Sequence, residues 1–394
     1  MNKPRILIAD GLNKEGIQLL VNDGIEVTDQ KMSTNELLRE IPPFDGLIVR
    51  SKPEVTRAVI EAGKKLKIIG RAGVGYDNID VEAATEGGIV VKIAPYGNTN
   101  STAELTIGLM LAAARNIPQT YHSLIGKLWE RKKYEGSELS GKTLGIIGCG
   151  RVGKRVAEIA KYGFGMNVIG YDIHKAANSG ITYVDNIDEV LRSSDFVTIH
   201  TPAMEKPVIG RVELKIMKST AILVNTSRGD NVDEEALYTA LHEGWIAGAG
   251  LDVYKEEPSE GHIFINELFE LNNFVGTSHL GASTAEAQRK TGIEIADVVL
   301  GYLKEGNWRN AVNVGEDISD KSPTYNVFIT HVDKPGMFRE ISGVFENYRI
   351  NIGEIPSRSI GRGSAITIIR AYRPITQGII TDLRTLDGVV RVTY

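Results

Sequence analysis

The sequence predicts an α/β protein: two doubly wound parallel-sheet domains, one inserted in the other, followed by a small α+β unit. Three observations carry that expectation. Residues 1 to about 96 alternate short apolar runs with amphipathic stretches, the pattern of parallel strands joined by crossover helices. Residues 142–172, KTLGIIGCGRVGKRVAEIAKYGFGMNVIGYD, read as strand, glycine turn, helix and a second strand ending on an acid. Beyond about residue 323 the order changes to strand, helix, two strands, helix, strand.

In the first block, RILIAD, IEVTDQ, DGLIVR, LKIIGRAG and IVVKIA are the strands, and KEGIQLLV, STNELLRE and TRAVIEAG the helices between them. GRAGVGYDNID, residues 70–80, sets three glycines at the carboxyl end of a strand. Their backbone N–H groups suit an anion, although a plain glycine-rich turn reads the same way. In NTNSTAELTIGLMLAAARNIPQT, Ser101 and Glu104 fit the S-x-x-E capping box, which predicts a long helix from that point. The pattern recurs at Ser283 and Glu286. Two helices with matching starts flank the central block and suggest crossovers between domains. The expected boundaries are 1–98 with 283–312 for a discontinuous first domain and 99–282 for the inserted one. KLWERKKYEG, residues 127–136, is basic and is either solvated surface or a site for an anionic substrate.

In the central block the apolar run Leu144–Ile147 precedes Gly148, Gly150 and Gly153, a G-x-G-x-x-G turn. The first glycine allows the tight turn, the second lets backbone approach a pyrophosphate, and the third lets the helix pack close on the sheet. The helix, from about Arg151 to Lys161, points its first amides at that phosphate. Asp172 ends the next strand, where a carboxylate accepts the ribose hydroxyls and repels a 2′-phosphate, which indicates NAD rather than NADP. Further on, DFVTIHTP, STAILVNTSRG, AGAGLDVYKEEP and NFVGTSHLGAS each put polar residues just past an apolar strand. That carboxyl edge is where open α/β sheets bind ligands. Thr201, Arg228, Asp252 with Glu257, and His279 are delivered there. Singly, Arg228 reads as surface charge, Glu257 as a loop carboxylate and His279 as a helix-flanking residue. Together they supply a cation for a carboxylate, an imidazole for proton transfer and a carboxylate to orient it.

Composition bounds the rest. The 394 residues are 42% hydrophobic and 24% charged, ordinary for a soluble globular chain. A formal net charge of -5 argues against nucleic acid or an anionic membrane as partner. MNKPRILIAD has too short an apolar core for a signal peptide, and Leu105–Ala114 is too short to span a bilayer, so a cytoplasmic location is expected. The single cysteine, Cys149, excludes an intramolecular disulfide and a cysteine-cluster metal site, and no metal is expected. The acidic NVGEDISDKSP, about 313–323, reads as a linker. Residues 324–394 follow as a small βαββαβ unit.

From RILIAD to RNAVN, the motifs GRAGVGYDNID, GCGRVG, NTSRG, LDVYKEEP and HLGAST make the chain resemble the D-isomer-specific 2-hydroxyacid dehydrogenase family. The resemblance implies a Rossmann-type NAD domain inserted in a flavodoxin-like substrate domain. It implies Arg228, Glu257 and His279 as the catalytic trio. It gives NAD contacts at Gly148, Gly150, Arg151, Val152, Gly153, Asp172, Thr201, Thr226, Ser227, Asp252, Leu280, Gly281 and Ala282. Substrate would meet Gly73, Val74, Arg50 and Arg131, the two arginines holding a phosphate. Val74 stands where some relatives have Thr. The activity implied is NAD-dependent oxidation of 3-phospho-D-glycerate to 3-phosphohydroxypyruvate, the first step of the phosphorylated route to L-serine. Hydroxypyruvate or glyoxylate reduction, or an NAD-binding corepressor-like role, are the alternatives. WERKKY would reach toward a partner subunit, so a homo-oligomer, dimer or tetramer, is expected. The tail, with H-x-D-x-P-G, resembles an ACT domain, with His331, Asp333 and Asn351 as effector residues and L-serine as the effector. Asp333 stands where serine-sensing versions usually carry Asn.

Overall fold

A computed structural model describes residues 3–176, 179–259, 261–313, 325–361, 363–371 and 373–394. The chain divides into two compact units, Met1–Gly97 with Gln288–Tyr394, and Asn98–Ala287.

In the first unit, strands β1 (Arg5–Ile8), β2 (Glu26–Asp29), β3 (Gly46–Val49), β4 (Ile68–Arg71) and β5 (Val90–Ile93) form a parallel sheet in the order β2-β1-β3-β4-β5. That is the flavodoxin-like order. The central strands read as unbroken apolar runs because both faces are covered. Ile6, Ile8, Ile48 and Ile68 enter one core, and Leu7, Leu47, Val49 and Ile69 enter the other. Helices α1 (Lys14–Asn22), α2 (Thr34–Glu40), α3 (Arg57–Ala62) and α4 (Val81–Glu86) connect the strands. The sequence reading omitted α4. It is only six residues long, and its start rests on Asp80, whose carboxylate accepts the Ala83 amide at 2.8 Å.

In the second unit, β6 (Thr143–Ile147), β7 (Asn167–Tyr171), β8 (Thr182–Tyr183), β9 (Phe196–Ile199), β10 (Ile222–Asn225), β11 (Gly248–Leu251) and β12 (Phe274–Gly276) form a seven-stranded sheet. Its order, β12-β11-β10-β9-β6-β7-β8, winds both ways from β6, as in the Rossmann arrangement. Alternation along β10 shows the two faces: Ile222 and Val224 join one core and Leu223 the other. Helices α5 (Thr99–Ala114), α6 (Ile117–Ile125), α7 (Arg151–Glu158), α8 (Ile187–Ser193), α9 (Arg211–Ile216) and α10 (Glu234–His242) belong to this unit. The capping box expected at Ser101 is not formed. Helix α5 begins at Thr99 with Asn98 at its cap, and Ser101, Thr102 and Ala103 are buried within it. Glu104 accepts instead from the Asn100 side chain at 2.5 Å. The box exists elsewhere, at α2, where Glu36 accepts the Ser33 amide at 2.7 Å.

Helix α11 (Ala285–Glu305) is capped by Thr284, whose hydroxyl accepts the Ala287 amide at 3.1 Å; the expected cap was Ser283. The tail forms β13 (Tyr325–Val332), α12 (Met337–Asn347), β14 (Ile352–Glu354), β15 (Ser357–Gly361), β16 (Ser364–Ala371), α13 (Gln377–Thr385) and β17 (Val389–Thr393). Its antiparallel sheet runs β14-β16-β13-β17, with β15 also on β16. One sheet face packs on α12 and α13. The other sends Phe328, Ile366 and Ile368 into the core shared by β1, β3 and α11. Phe328 stacks on Trp308 with centroids 5.4 Å apart, Arg391 donates to the Leu66 carbonyl, and Thr393 to that of Gly88 at 3.0 Å. The tail therefore belongs to the same compact unit as the first sheet. Apart from Asn313, the linker expected at 313–323 lies outside the described residues. Among the described residues no helix is long and apolar enough to cross a membrane, and no three His, Cys, Asp or Glu side chains group as metal ligands.

Candidate active site

The glycine turn joins β6 to α7. Gly148 has φ +89°, and a Cβ there would lie 2.7 Å from the His200 carbonyl group. A Cβ on Gly153 would lie 2.3 Å from the Gly148 oxygen. At Gly150 nothing stands within 4 Å of that position. Two glycines are thus required by the protein's own packing, while the middle one leaves open space over the amino end of α7. That division of labour suits an incoming pyrophosphate. Asp172, just past β7, accepts the Cys149 amide at 2.6 Å and that of His174 at 2.8 Å. Its carboxylate is thereby fixed beside the turn. The α-helix ends at Glu158, and a π turn at Ile159–Gly163 completes the stretch.

Three successive strand ends, β10, β11 and β12, deliver the reactive set. At the last residue of β10, Asn225 organises the loop. Its Oδ1 accepts from the Ser227 amide (2.9 Å) and hydroxyl (2.7 Å), and its Nδ2 donates to the Arg228 carbonyl (2.8 Å). Asn231 donates to Thr201 and to Ser227 Oγ, each at 3.1 Å. Both asparagines are fully buried. The sequence motifs do not single out either one, since an Asn in or beside a loop reads as ordinary polar surface. Thr226, also buried, shares a 2.8 Å hydroxyl contact with Thr106. The Arg228 guanidinium donates to the Ser227 carbonyl at 2.7 Å.

Past β11, Asp252 is 1% exposed. A buried carboxylate needs donors, and it has three: the Leu280 amide (2.7 Å), the Gly281 amide (2.9 Å) and the Thr277 hydroxyl (2.6 Å). Its own carbonyl accepts the His279 amide at 2.8 Å. These bonds hold the 277–281 turn in a shape that puts His279 at φ +57°, a left-handed conformation costly for a residue with a Cβ. The imidazole so placed meets Glu257, with Nδ1 2.7 Å from Oε2. Glu257 Oε1 also accepts the Tyr254 amide at 3.2 Å. His279 is raised above the usual histidine value, first by its hydrogen bond to Glu257, then against burial by the charges of Glu257 and Asp252; Arg228 opposes. For Glu257, burial favours the neutral acid. The His279 bond and charge, the Tyr254 amide and Arg228 outweigh it and hold the carboxyl below its usual range. With Nδ1 turned to the carboxylate, proton exchange falls to Nε2.

The other expected residues fall as follows. Arg151 is exposed, Val152 partly buried, and Leu280 exposed beside buried Gly281 and partly buried Ala282. In the first unit Arg50 directly follows β3, partly buried, and Asn78 of the 70–80 loop donates to its carbonyl at 3.1 Å. Gly73 has φ +152°, a backbone conformation that residues with a Cβ rarely adopt, so the loop favours glycine at that point; Val74 is partly buried. Arg131 starts an exposed single turn, Arg131–Lys133. In the tail, Asp333 and Asn351 are exposed, whereas His331 is 2% exposed. Its ring bonds Thr367 Oγ1 at 2.7 Å and the Val332 carbonyl at 2.8 Å. His331 is buried in the sheet, with both ring nitrogens partnered.

A doubly wound sheet with an open glycine turn over the amino end of a helix defines the class of dinucleotide-binding α/β proteins. The description "D-isomer specific 2-hydroxyacid dehydrogenase, NAD binding domain" matches residues 107–281. Hydroxypyruvate reductase of Thermotoga maritima is 46% identical over 77% of this chain and 99% of that protein. D-3-phosphoglycerate dehydrogenase of Methanocaldococcus jannaschii is 48% identical over 79% of this chain, which spans only 59% of that longer relative. The crystal structure of the TT0316 protein from Thermus thermophilus superposes with a TM-score of 0.71 at 33% identity, covering 78% of this chain and 99% of that one. The chain belongs to the D-isomer-specific 2-hydroxyacid dehydrogenase family, and its second unit carries that family's NAD-binding domain.

Proposed function

We propose that the protein oxidises 3-phospho-D-glycerate to 3-phosphohydroxypyruvate, coupled to NAD, in the phosphorylated route to L-serine. The observation that carries this reading is the 2.7 Å His279–Glu257 pair with Arg228 acting on both, in the same unit as the open glycine turn. Bound NAD supplies the hydride acceptor. Gly150 and the amino end of α7 would hold its pyrophosphate, and Asp172 its ribose. Neutral His279 takes the C2 hydroxyl proton at Nε2, and Glu257 stabilises the imidazolium that results. Arg228 binds the substrate carboxylate and stabilises charge at the C2 oxygen. Reduction runs the same proton path backwards.

Arg50 and Arg131 are the cations we assign to the phosphate. Replacing either with alanine raises KM for the phosphorylated substrate and leaves the KM for NAD near its starting value. Residues 1–98 with 283–312 form the substrate-binding domain in this reading, and 99–282 the NAD-binding domain. The M. jannaschii relative supports the phosphoglycerate assignment. The T. maritima relative favours a second reading, hydroxypyruvate reduction. A substrate panel separates them: a phosphoglycerate enzyme acts poorly on hydroxypyruvate and glyoxylate with NADH, and a reductase acts well on them.

The exposed Ile117, Tyr121, Leu124 and Ile125 of α6, and Trp129 at 83% exposure, support a homo-oligomer, since apolar groups so clustered suit a partner surface. The tail's order, β13-α12-β14-β15-β16-α13-β17, has one short strand more than the expected βαββαβ, and the two helices on one face of its antiparallel sheet support an ACT-type tail. If L-serine inhibits, Asn351→Ala relieves the inhibition without changing substrate kinetics.

A further inference from the structure

Glu257 lies on a strap, Lys255 to Asn266, whose two ends meet one carboxylate. Glu234, in the first turn of α10, accepts the Lys255 amide through Oε1 at 2.7 Å and the Asn266 side chain through Oε2 at 2.6 Å. Phe264, near the strap's far end, packs back on its root. Phe264 sits edge-on to Tyr254 with centroids 5.0 Å apart, and Phe269, just past the strap, does so at 5.7 Å. The root is pressed against the loop that carries Arg228: a Cβ on Gly229 would lie 2.0 Å from the Tyr254 carbonyl carbon and 2.4 Å from the Lys255 amide nitrogen. Tyr254 in turn gives its amide to Glu257. A long loop held at a single foot can swing; pinned at both feet it holds its side chains in one place.

We propose that Glu234 is a positioning residue, its carboxylate clamping both feet of the strap so that Glu257 stays against His279. Glu234 touches neither reacting group. Its effect passes through the Lys255 amide to the Tyr254–Glu257 segment. The inference rests on the proton-transfer reading of His279. The charged groups that bear on His279 are Glu257 and Asp252, which favour its protonation, and Arg228, which opposes it. Releasing the strap loosens the first of these and leaves the other two.

The test titrates His279 by NMR in the full chain, unliganded, with wild type, Glu234→Ala, Glu234→Gln, Glu257→Gln and the Glu234→Ala/Glu257→Gln double variant. Melting temperature and NAD affinity report folding. In Glu234→Ala the His279 titration moves to lower pH, toward its position in Glu257→Gln, and the double variant moves no further. Glu234→Gln, which keeps an acceptor for Lys255, lies between. Turnover in Glu234→Ala falls about tenfold, with the acid limb of its pH profile displaced the same way. A folded Glu234→Ala with an unmoved titration overturns the proposal, as does a further shift in the double variant. Should Glu234→Ala fail to fold, Glu234→Gln decides alone, and an unmoved titration there also overturns it. Because the NMR readout needs no turnover, absence of dehydrogenase activity in wild type strikes at the functional reading and leaves this result standing on its own.

Discussion

Two basic side chains, one in each unit, are pushed in opposite directions. His279 stands against Glu257 and is raised by it. Lys92, on β5, is fully buried, and its Nζ donates to two carbonyls, Asn307 at 2.5 Å and Val298 at 3.3 Å, with the Tyr302 ring 5.6 Å away. Burial drives Lys92 down to about 7, Arg309 adds to the fall and Asp297 opposes it. Both groups have hydrogen-bond partners. What differs is the partner's charge: a carboxylate outweighs desolvation, whereas neutral carbonyls do not. The first arrangement favours the protonated imidazole. The second makes an amine whose neutral form the fold favours.

Breaking the first member of the comparison has the largest effect. His279→Ala is expected to lower turnover by about 10²–10⁴-fold and to leave NAD affinity near its wild-type value, as steady-state rates and calorimetric titration will show. Near-normal turnover would remove the imidazole from the reaction. The second member is tested by stability against pH. The folded value of Lys92, about 7, lies below the ordinary ~10.4 of an unfolded lysine. Between those values the unfolded chain binds the extra proton. Stability of the first unit therefore rises with pH across that window, by up to about 1.4 kcal/mol per unit, and is lost as pH falls toward 7. Lys92→Met removes this slope in urea titrations, and a slope that persists in the variant would place its origin elsewhere. The smallest effect has the opposite sign. The raised histidine stabilises the folded state fully below its ordinary value of ~6.5 and loses that contribution as pH rises through the folded value. The His279 and Glu257 side chains are 53% and 35% exposed, so solvent screening limits the contribution to below about 1 kcal/mol. Glu257→Gln erases it; an unchanged profile of melting temperature against pH would show the pair to be energetically silent.

Much of the scaffold was legible because it depends on local pattern. Unbroken runs such as LIV in β3 report burial on both faces, and the spacing Gly148, Gly150, Gly153 anticipated three different tolerances for a side chain. S-x-x-E was a weaker guide: it occurs at Ser33, Ser51, Ser101 and Ser283, and only Ser33 forms the box, since at Ser101 the helix has already begun two residues earlier. Lys92 was illegible for a related reason. VVKI looks like a strand with one polar outlet, and nothing local reveals that carbonyls more than 200 positions later surround it. At the candidate site, Arg228, Glu257 and His279 stood out because their chemistry combines. Asn225 bonds only nearby residues, but an Asn at a strand end gives no sign that it is fully buried. Asn231 and Glu234, which shape the loops, did not stand out, since their bonds to Thr201, Lys255 and Asn266 exist only once the strand ends are brought together. The burial of His331 escaped notice for the same reason: its partner Thr367 lies on a different strand.

The account turns on NAD-linked oxidation of a phosphorylated 2-hydroxy acid by this side-chain set. The most direct measurement is the initial rate of NADH formation by the purified full chain, with 3-phospho-D-glycerate and with D-glycerate, from acid to alkaline pH. The expected result is saturable NADH formation from the phosphorylated acid, with kcat/KM more than about tenfold above that for glycerate and rising through the titration of His279. NADH formation from neither acid, or equal rates on both, would contradict the account.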